Sequence, residues 1–232
     1  MKETVGDRID ILAVVQARMS SSRLPGKVLK PILGKPMLFR QIERIKRSRL
    51  INKIIVATSV EGSDDLIESM CLENQIDCFR GDLKDVLDRF YQVALKYDPR
   101  HIVRLTADCP LIDPRVIDET ILFYKKGAYD YASNTIPHTF PDGLDVEIFN
   151  ATVLAKVWSE AKTQYEREHV TPFFYNNPSM FRLGSFRSEK DLSSLRWTVD
   201  KEEDFKFVER VYEALYPKKP DFSMADILEI SR

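Results

Sequence analysis

Apolar and polar positions run in blocks along the first 125 residues, and the period of each block predicts an element. Ile9–Val15 is a largely apolar run that suits a strand buried on both faces. Met37–Arg47 carries Met37, Leu38, Ile42 and Ile45 at helical spacing, and Lys53–Thr58 reads as a second strand. Asp64–Asn74 is helical and offers Leu66, Ile67, Met70 and Leu72 to a core. A short third strand, Asp77–Arg80, precedes a helix over Val86–Lys96. His101–Thr106 is a fourth strand, followed by the loop Ala107–Pro114 and a helix over Val116–Lys125. The order βαβαβαβα predicts a parallel sheet covered by helices on both faces. Ligands in such sheets sit beyond the carboxyl ends of the strands. The loop at Arg18, the Thr58-Ser59 and Arg80-Gly81 turns and the loop at Asp108 all fall there.

The pattern changes after about residue 128. Strand-like Tyr129–Asn134 and Leu144–Phe149 flank a turn containing Pro, His and Gly. Ala151–Ala161 is helical, and Glu166-Arg167-Glu168-His169 opens a further helix within Tyr165–Tyr175. Phe181–Phe186 and Leu195–Val199 read as later strands, and Asp204–Leu215 as an amphipathic helix with Phe205, Phe207, Val208, Val211 and Leu215 apolar. No repeat, low-complexity segment or long linker divides the chain. A single domain over residues 1–232 is expected, with an inserted section at about 129–175.

Composition narrows the partners. Lys and Arg number 35 against 36 Asp and Glu, so no bulk charge favours nucleic acid or a membrane surface. Basic chemistry must therefore be local. Cys71, Cys78 and Cys109 lack metal-type spacing and read as reduced thiols of a cytoplasmic protein. Met1–Asp10 is charged rather than apolar, unlike a signal peptide, and no apolar stretch reaches the length of a membrane span.

That local basic chemistry stands directly after the first strand. Val14-Val15-Gln16-Ala17-Arg18-Met19-Ser20-Ser21-Ser22-Arg23-Leu24-Pro25-Gly26-Lys27 combines small residues, two arginines and a lysine, and Pro25-Gly26 ends any regular element. Such a loop turns backbone N–H groups into a concavity ringed by positive charge, which suits a polyphosphate. A plain solvated turn is the alternative. Neither the G-x-x-x-x-G-K-[ST] nor the G-x-G-x-x-G pattern occurs in this first strand–loop unit, which excludes the two common phosphate loops.

Asp108 stands just past the fourth strand in Arg104-Leu105-Thr106-Ala107-Asp108-Cys109-Pro110-Leu111. Trp197-Thr198-Val199-Asp200 repeats the arrangement near the C-terminus. Mg²⁺ is held by one or two carboxylates plus substrate phosphate oxygens, which suits Asp108 and Asp200. Asp200 also fits a helix N-cap, and Asp113 reads as a cap or turn residue.

Together these motifs resemble the sugar nucleotidyltransferases of the cytidylyltransferase superfamily, which includes 3-deoxy-manno-octulosonate and acylneuraminate cytidylyltransferases. The spore-coat polysaccharide cytidylyltransferase-like branch is the nearest in pattern. Further matches are Gly34-Lys35-Pro36-Met37, Asp85-Val86-Leu87-Asp88-Arg89-Phe90, Asp142-Gly143-Leu144-Asp145-Val146-Glu147, Arg167-Glu168-His169-Val170-Thr171-Pro172 and Thr198-Val199-Asp200. The resemblance implies a three-layer α/β/α, nucleotide-diphospho-sugar transferase (Rossmann-like) fold with a mostly parallel, mixed sheet. It implies transfer of CMP from CTP to a sugar or sugar acid, with Mg²⁺ as cofactor, for surface polysaccharide synthesis. Arg18, Arg23 and Lys27 would hold the triphosphate, with Arg18, Lys27 and Asp108 central to catalysis and Asp108 and Asp200 on the metal. Ala17, Ser20, Ser21, Ser22, Thr58, Arg80, Gly81 and Thr106 would line the nucleotide pocket. Thr106 stands where better-known relatives carry Gln, which contributes to nucleoside recognition in them. The Asp142–Glu147 segment also differs from theirs, so no particular sugar is implied.

His138, Asp142, Asp145 and Glu147 are the acceptor candidates from the inserted section, with Glu168 and His169 nearby. Asp145 and Glu147 alternate with Leu144, Val146 and Ile148, so both can face one side of a strand. The section is rich in aromatics: Tyr129, Tyr131, Phe140, Phe149, Trp158, Phe173, Phe174 and Tyr175. A small insertion cannot bury that many aromatics by itself, so a two-fold homodimer formed by this section is predicted, as the resemblance also implies; the alternative is that they pack back onto their own sheet. Rival functions are a uridylyl- or guanylyltransferase, a glycosyltransferase on the same fold, or a non-catalytic nucleotide-binding module.

Overall fold

The computed structural model describes residues 8–231. The charged N-terminus weighed above as a leader falls mostly outside them. Strand β1 (Ile11–Gln16) is followed by the basic loop and a small hairpin, β2 (Pro31–Ile32) and β3 (Lys35–Pro36). Then come α1 (Met37–Ile45), β4 (Lys53–Ser59), α2 (Asp65–Glu73), β5 (Asp77–Gly81), α3 (Val86–Tyr97), β6 (His101–Thr106) and α4 (Pro114–Gly127). The second half holds β7 (Tyr131–Ser133), β8 (Glu147–Asn150), α5 (Ala151–Glu160), α6 (Gln164–His169), α7 (Pro172–Asn176), β9 (Leu183–Ser185), α8 (Glu202–Leu215) and α9 (Met224–Ile230).

The main sheet runs β5-β4-β1-β6-β8-β7-β9. Its first four strands are parallel, β8 is antiparallel to both β6 and β7, and β9 pairs parallel with β7. This is the mixed three-layer α/β sheet expected. Side chains alternate across β1: Ile11, Ala13 and Val15 enter one apolar cluster with α1, α4 and α8, while Leu12 and Val14 enter the other with α3, α5 and α7. The central strand is thus sealed on both faces, and ligands are left the strand ends.

Several expectations change. Leu66 and Leu72 are exposed, because the buried stripe of α2 is Ile67, Met70 and Cys71. Glu166–His169 closes α6 instead of opening a helix, and α6 is started by the capping box of Thr163 and Glu166. Leu144–Val146 precede β8 instead of joining it. Leu195–Val199 forms no strand; an isolated Asp142–Arg196 bridge ties it to the loop before β8, and Val199 N–H donates to Asp108 O at 2.8 Å. The 129–175 section supplies strands to the same sheet, and Tyr131, Phe140, Phe149, Phe173 and Phe174 are buried within their own chain. Those aromatics therefore offer no exposed surface to a second copy. Asp113 does cap α4, accepting from Arg115 N–H at 2.8 Å.

Gly143 makes the close approach of the two segments possible. Its φ is +113°, and a Cβ there would lie 2.5 Å from Thr198 N and 2.6 Å from Trp197 C. Gly143→Ala is expected to cost about 1–3 kcal/mol in urea denaturation, and to lower activity by displacing the segment that carries Asp200. Wild-type stability in this variant would show that the 143–198 contact does not hold the segment.

Candidate active site

The loop after β1 is held from beneath. Ala17 N–H donates to Ala57 O at 3.1 Å, and Met19 N–H to Asp64 Oδ1 at 2.8 Å. Gly26, at φ 72°, turns the chain back so that its N–H meets Met19 O at 2.9 Å. The turn delivers Lys27 inward, where it is only 7% exposed. Its ammonium donates to Val199 O at 2.6 Å and stands 3.2 Å from both Asp108 Oδ2 and Asp200 Oδ1. Arg23 reaches Asp200 at 2.9 Å, and Arg18 pairs with Glu168 at 3.6 Å. Burial opposes the Asp200 charge, but Lys27, Arg196 and Arg23 outweigh it and hold that carboxyl below its usual range.

A cleft of about 340 Å³ opens over this cluster, a size suited to a small ligand. Ala17, Arg18, Ser21, Ser22, Arg23, Lys27, Thr106, Asp108 and Asp200 line it, all anticipated from the sequence. Four anticipated residues do not. Thr58 is fully buried and donates to Asp64 Oδ2 at 2.9 Å. Arg80 turns outward to Asp65 and Glu68, each at 2.7 Å. Gly81 lies against the Arg89 side chain. Ser20 faces an outer hollow with Lys84 and Gln164. Nearby carboxylates claim the Thr58 and Arg80 side chains, although both lie near the expected end of the sheet.

Gln16, Arg89, Arg104, Glu168 and His169 also line the cleft. Of these, Gln16, Arg89 and Arg104 were missed as site residues, and the two arginines carried a signal. Each breaks an apolar pattern: Arg104 interrupts the buried strand β6, and Arg89 sits on the α3 stripe of Val86, Phe90 and Val93. A charged residue on a buried stripe was the available signal.

A second cleft of about 300 Å³ adjoins the first, and Arg104, Thr106 and His169 line both. His138, Asp145 and Glu147 line it with Tyr165, Thr171 and Tyr175. Asp142 does not; Arg196 holds it at 2.7 Å and also grips Asp200 at 2.5 Å. Glu147 is already engaged: Tyr131 and Thr171 hydroxyls each donate to Oε1 at 2.6 Å, and Arg104 pairs with Oε2. Its role is to fix Arg104 between the clefts. Asp145 is different. Burial pushes its carboxyl up to about 6, opposed by His138 and reinforced by Asp142 and Glu147.

The donor set fits a divalent cation of the Mg²⁺ kind. Asp108 and Asp200 present hard oxygens toward one point, and that point already attracts an ammonium. Among the described residues no group of three or more His, Cys, Asp or Glu gathers, so bound phosphate would have to complete the coordination.

An α/β sheet with a basic loop and paired carboxylates at its carboxyl edge is the architecture of a nucleotidyltransferase. The cytidylyltransferase family model matches residues 12–225, and the chain belongs to that family. The spore coat polysaccharide biosynthesis protein SpsF of Bacillus subtilis is 32% identical over 230 residues, covering 95% of this chain and 93% of that protein. An uncharacterised protein of Methanocaldococcus jannaschii is 38% identical over 198 residues, covering 84% and 80%. A solved cytidylyltransferase from Leptospira borgpetersenii superimposes with a TM-score of 0.90 at 34% identity, covering 96% of this chain and 94% of that one. A CMP:2-keto-3-deoxy-manno-octonic acid synthetase solved with CTP shares the fold, at a TM-score of 0.71 and 18% identity over 88% and 99% of the chains.

Asp145 links site and stability. Its carboxyl rises from the usual 3.8 to about 6 on folding, so the folded chain binds the proton more tightly. Stability falls as pH climbs through that window and stays lower above it, by roughly 3 kcal/mol. Asp145→Asn is expected to raise unfolding free energy at pH 7.5 but not at pH 4. Equal shifts in urea melts at both pH values would contradict the burial of this charge.

Proposed function

We propose that the protein transfers CMP from CTP to a hydroxyl of a sugar or sugar acid, releasing pyrophosphate, in a Mg²⁺-dependent reaction of surface polysaccharide synthesis. The observation that carries this reading is the pair of adjoining clefts. One is lined by Lys27, Asp108 and Asp200; the other holds Asp145; Arg104, Thr106 and His169 form their common wall. A nucleotide and an acceptor in these clefts would meet at that wall. The similarity to the Bacillus spore coat polysaccharide biosynthesis protein, and the fold shared with the CTP-bound synthetase, support the polysaccharide and sugar-acid side.

In the reaction, the acceptor oxygen bonds to the α-phosphorus, the bond from that phosphorus to the bridging oxygen breaks, and pyrophosphate leaves. Arg18 and Arg23 bind phosphate oxygens as forks and Lys27 as a point charge. Bound Mg²⁺, held by Asp108 and Asp200, would neutralise the charge on the phosphates. Asp145, poised near 6, takes the hydroxyl proton. Arg104, fixed by Glu147, faces the place where acceptor and α-phosphate meet. Positioning and electrostatics supply most of the rate. A homodimer now rests on the resemblance alone.

Lys27→Ala and Arg18→Ala are each expected to weaken CTP binding by about 10- to 100-fold, the range for charge-assisted contacts. Asp108→Asn and Asp200→Asn are expected to abolish Mg²⁺-dependent pyrophosphate release while remaining folded. Normal release by a folded Asp108→Asn protein would remove that carboxylate from the reaction. Thermal melts with Mg²⁺ separate the rival nucleotides, since a ligand of the native state raises its stability. CTP should raise the melting temperature most; stabilisation by UTP or GTP and not CTP would refute the cytidylyl reading.

A further inference from the structure

Each Arg or Lys lining the nucleotide cleft except Arg89 has a carboxylate partner. Lys27 has Asp108 and Asp200, Arg23 has Asp200, Arg18 has Glu168 and Arg104 has Glu147. Arg89 has none among the described residues. It is 2% exposed, and its Nε finds no hydrogen-bond partner. Nη1 donates to Ala57 O at 3.3 Å, an acceptor already taken by Ala17 N–H at 3.1 Å. A buried guanidinium this poorly matched is costly in the free protein. Yet the fold makes room for it: a Cβ on residue 81 would lie 2.6 Å from Arg89 Cγ, so glycine at that position admits the arginine stem. Burial lowers its pKa to about 10, which still leaves it charged at neutral pH.

Its place in the cleft indicates what it meets. Ala57 belongs to β4 and Gly81 to β5, whereas Asp108 follows β6; β1 lies between β4 and β6. β4 and β6 are therefore two strand spacings apart, roughly 10 Å. A nucleotide with its phosphates on Lys27 would extend its base toward Arg89, between the small apolar Ala17 and Val86.

We propose that Arg89 reads the cytosine base, its N–H groups donating to the adjacent acceptors O2 and N3. Uracil carries N3–H at that position, so donor would face donor. A site built on hydrogen-bond donors rejects a ligand that leaves them unmatched. This rests on the reading that CTP is the nucleotide.

Arg89→Met keeps the apolar stem and removes every donor. Calorimetry with CTP, UTP and pyrophosphate, together with melting of the ligand-free protein, tests it. CTP affinity should fall about 10- to 100-fold, with UTP and pyrophosphate changing far less, so the CTP preference collapses. The ligand-free melting temperature should hold or rise, because an uncompensated buried charge is gone. Gly81→Ala, which crowds the stem, should lower CTP affinity in the same direction. A retained CTP preference in folded Arg89→Met overturns the assignment. A parallel loss of pyrophosphate affinity does so too, by placing Arg89 on the phosphates. A sharp drop in melting temperature with CTP affinity unchanged would make it a structural residue. Equal binding of CTP and UTP by the wild type would instead contradict the functional reading, and this assignment with it.

Discussion

The ammonium of Lys27 is the point on which the site depends. It joins three segments remote in sequence: the loop after β1, the loop after β6 that carries Asp108, and the 197–200 segment that carries Asp200. Without a cation between them, two half-buried carboxylates would repel and oppose the backbone hydrogen bonds that lay the C-terminal segment over the end of the sheet. Burial strengthens the attraction because water is partly excluded. In the proposed reaction a triphosphate would offer Lys27 phosphate oxygens in place of the carboxylates, and those carboxylates would then be free for a divalent cation.

The rest of the site is arranged around that point by pairs of unlike cost. Arg104 and Glu147 are neighbours in the β6–β8 register, and Tyr131 and Thr171 complete the lone pairs of the carboxylate. Such a satisfied buried pair fixes geometry more than it adds stability. Asp145 and Arg89 are left poorly matched, one in each of the two clefts. Both are costly in the free protein, and both face space that a ligand would fill. Strain of this kind concentrates where function needs it.

Much of this was legible in the sequence. Continuous apolar runs punctuated by turn residues marked β1, β4 and β6, because a parallel strand buried on both faces has no polar side to show. The basic loop and Asp108 could be placed from those strands. Leu195–Val199 misled because Leu195, Trp197 and Val199 alternate like a strand, whereas the segment is held by the close approach at Gly143 and by several hydrogen bonds to Asp108 and Asp142 outside any strand. Thr58 and Arg80 stood at the right end of the sheet, but Asp64, Asp65 and Glu68 claim them. Competition between neighbouring charges is settled in three dimensions and leaves no periodic trace. Arg89 left one, as a cation on an apolar stripe.

A crystal structure with Mg²⁺ and a CTP analogue bearing a methylene between the α- and β-phosphorus tests the central role of Lys27 most directly. The Lys27 ammonium should then lie on phosphate oxygens, with Asp108 and Asp200 both turned to the metal. An ammonium still lodged between those carboxylates, with metal and phosphates bound elsewhere, would contradict it.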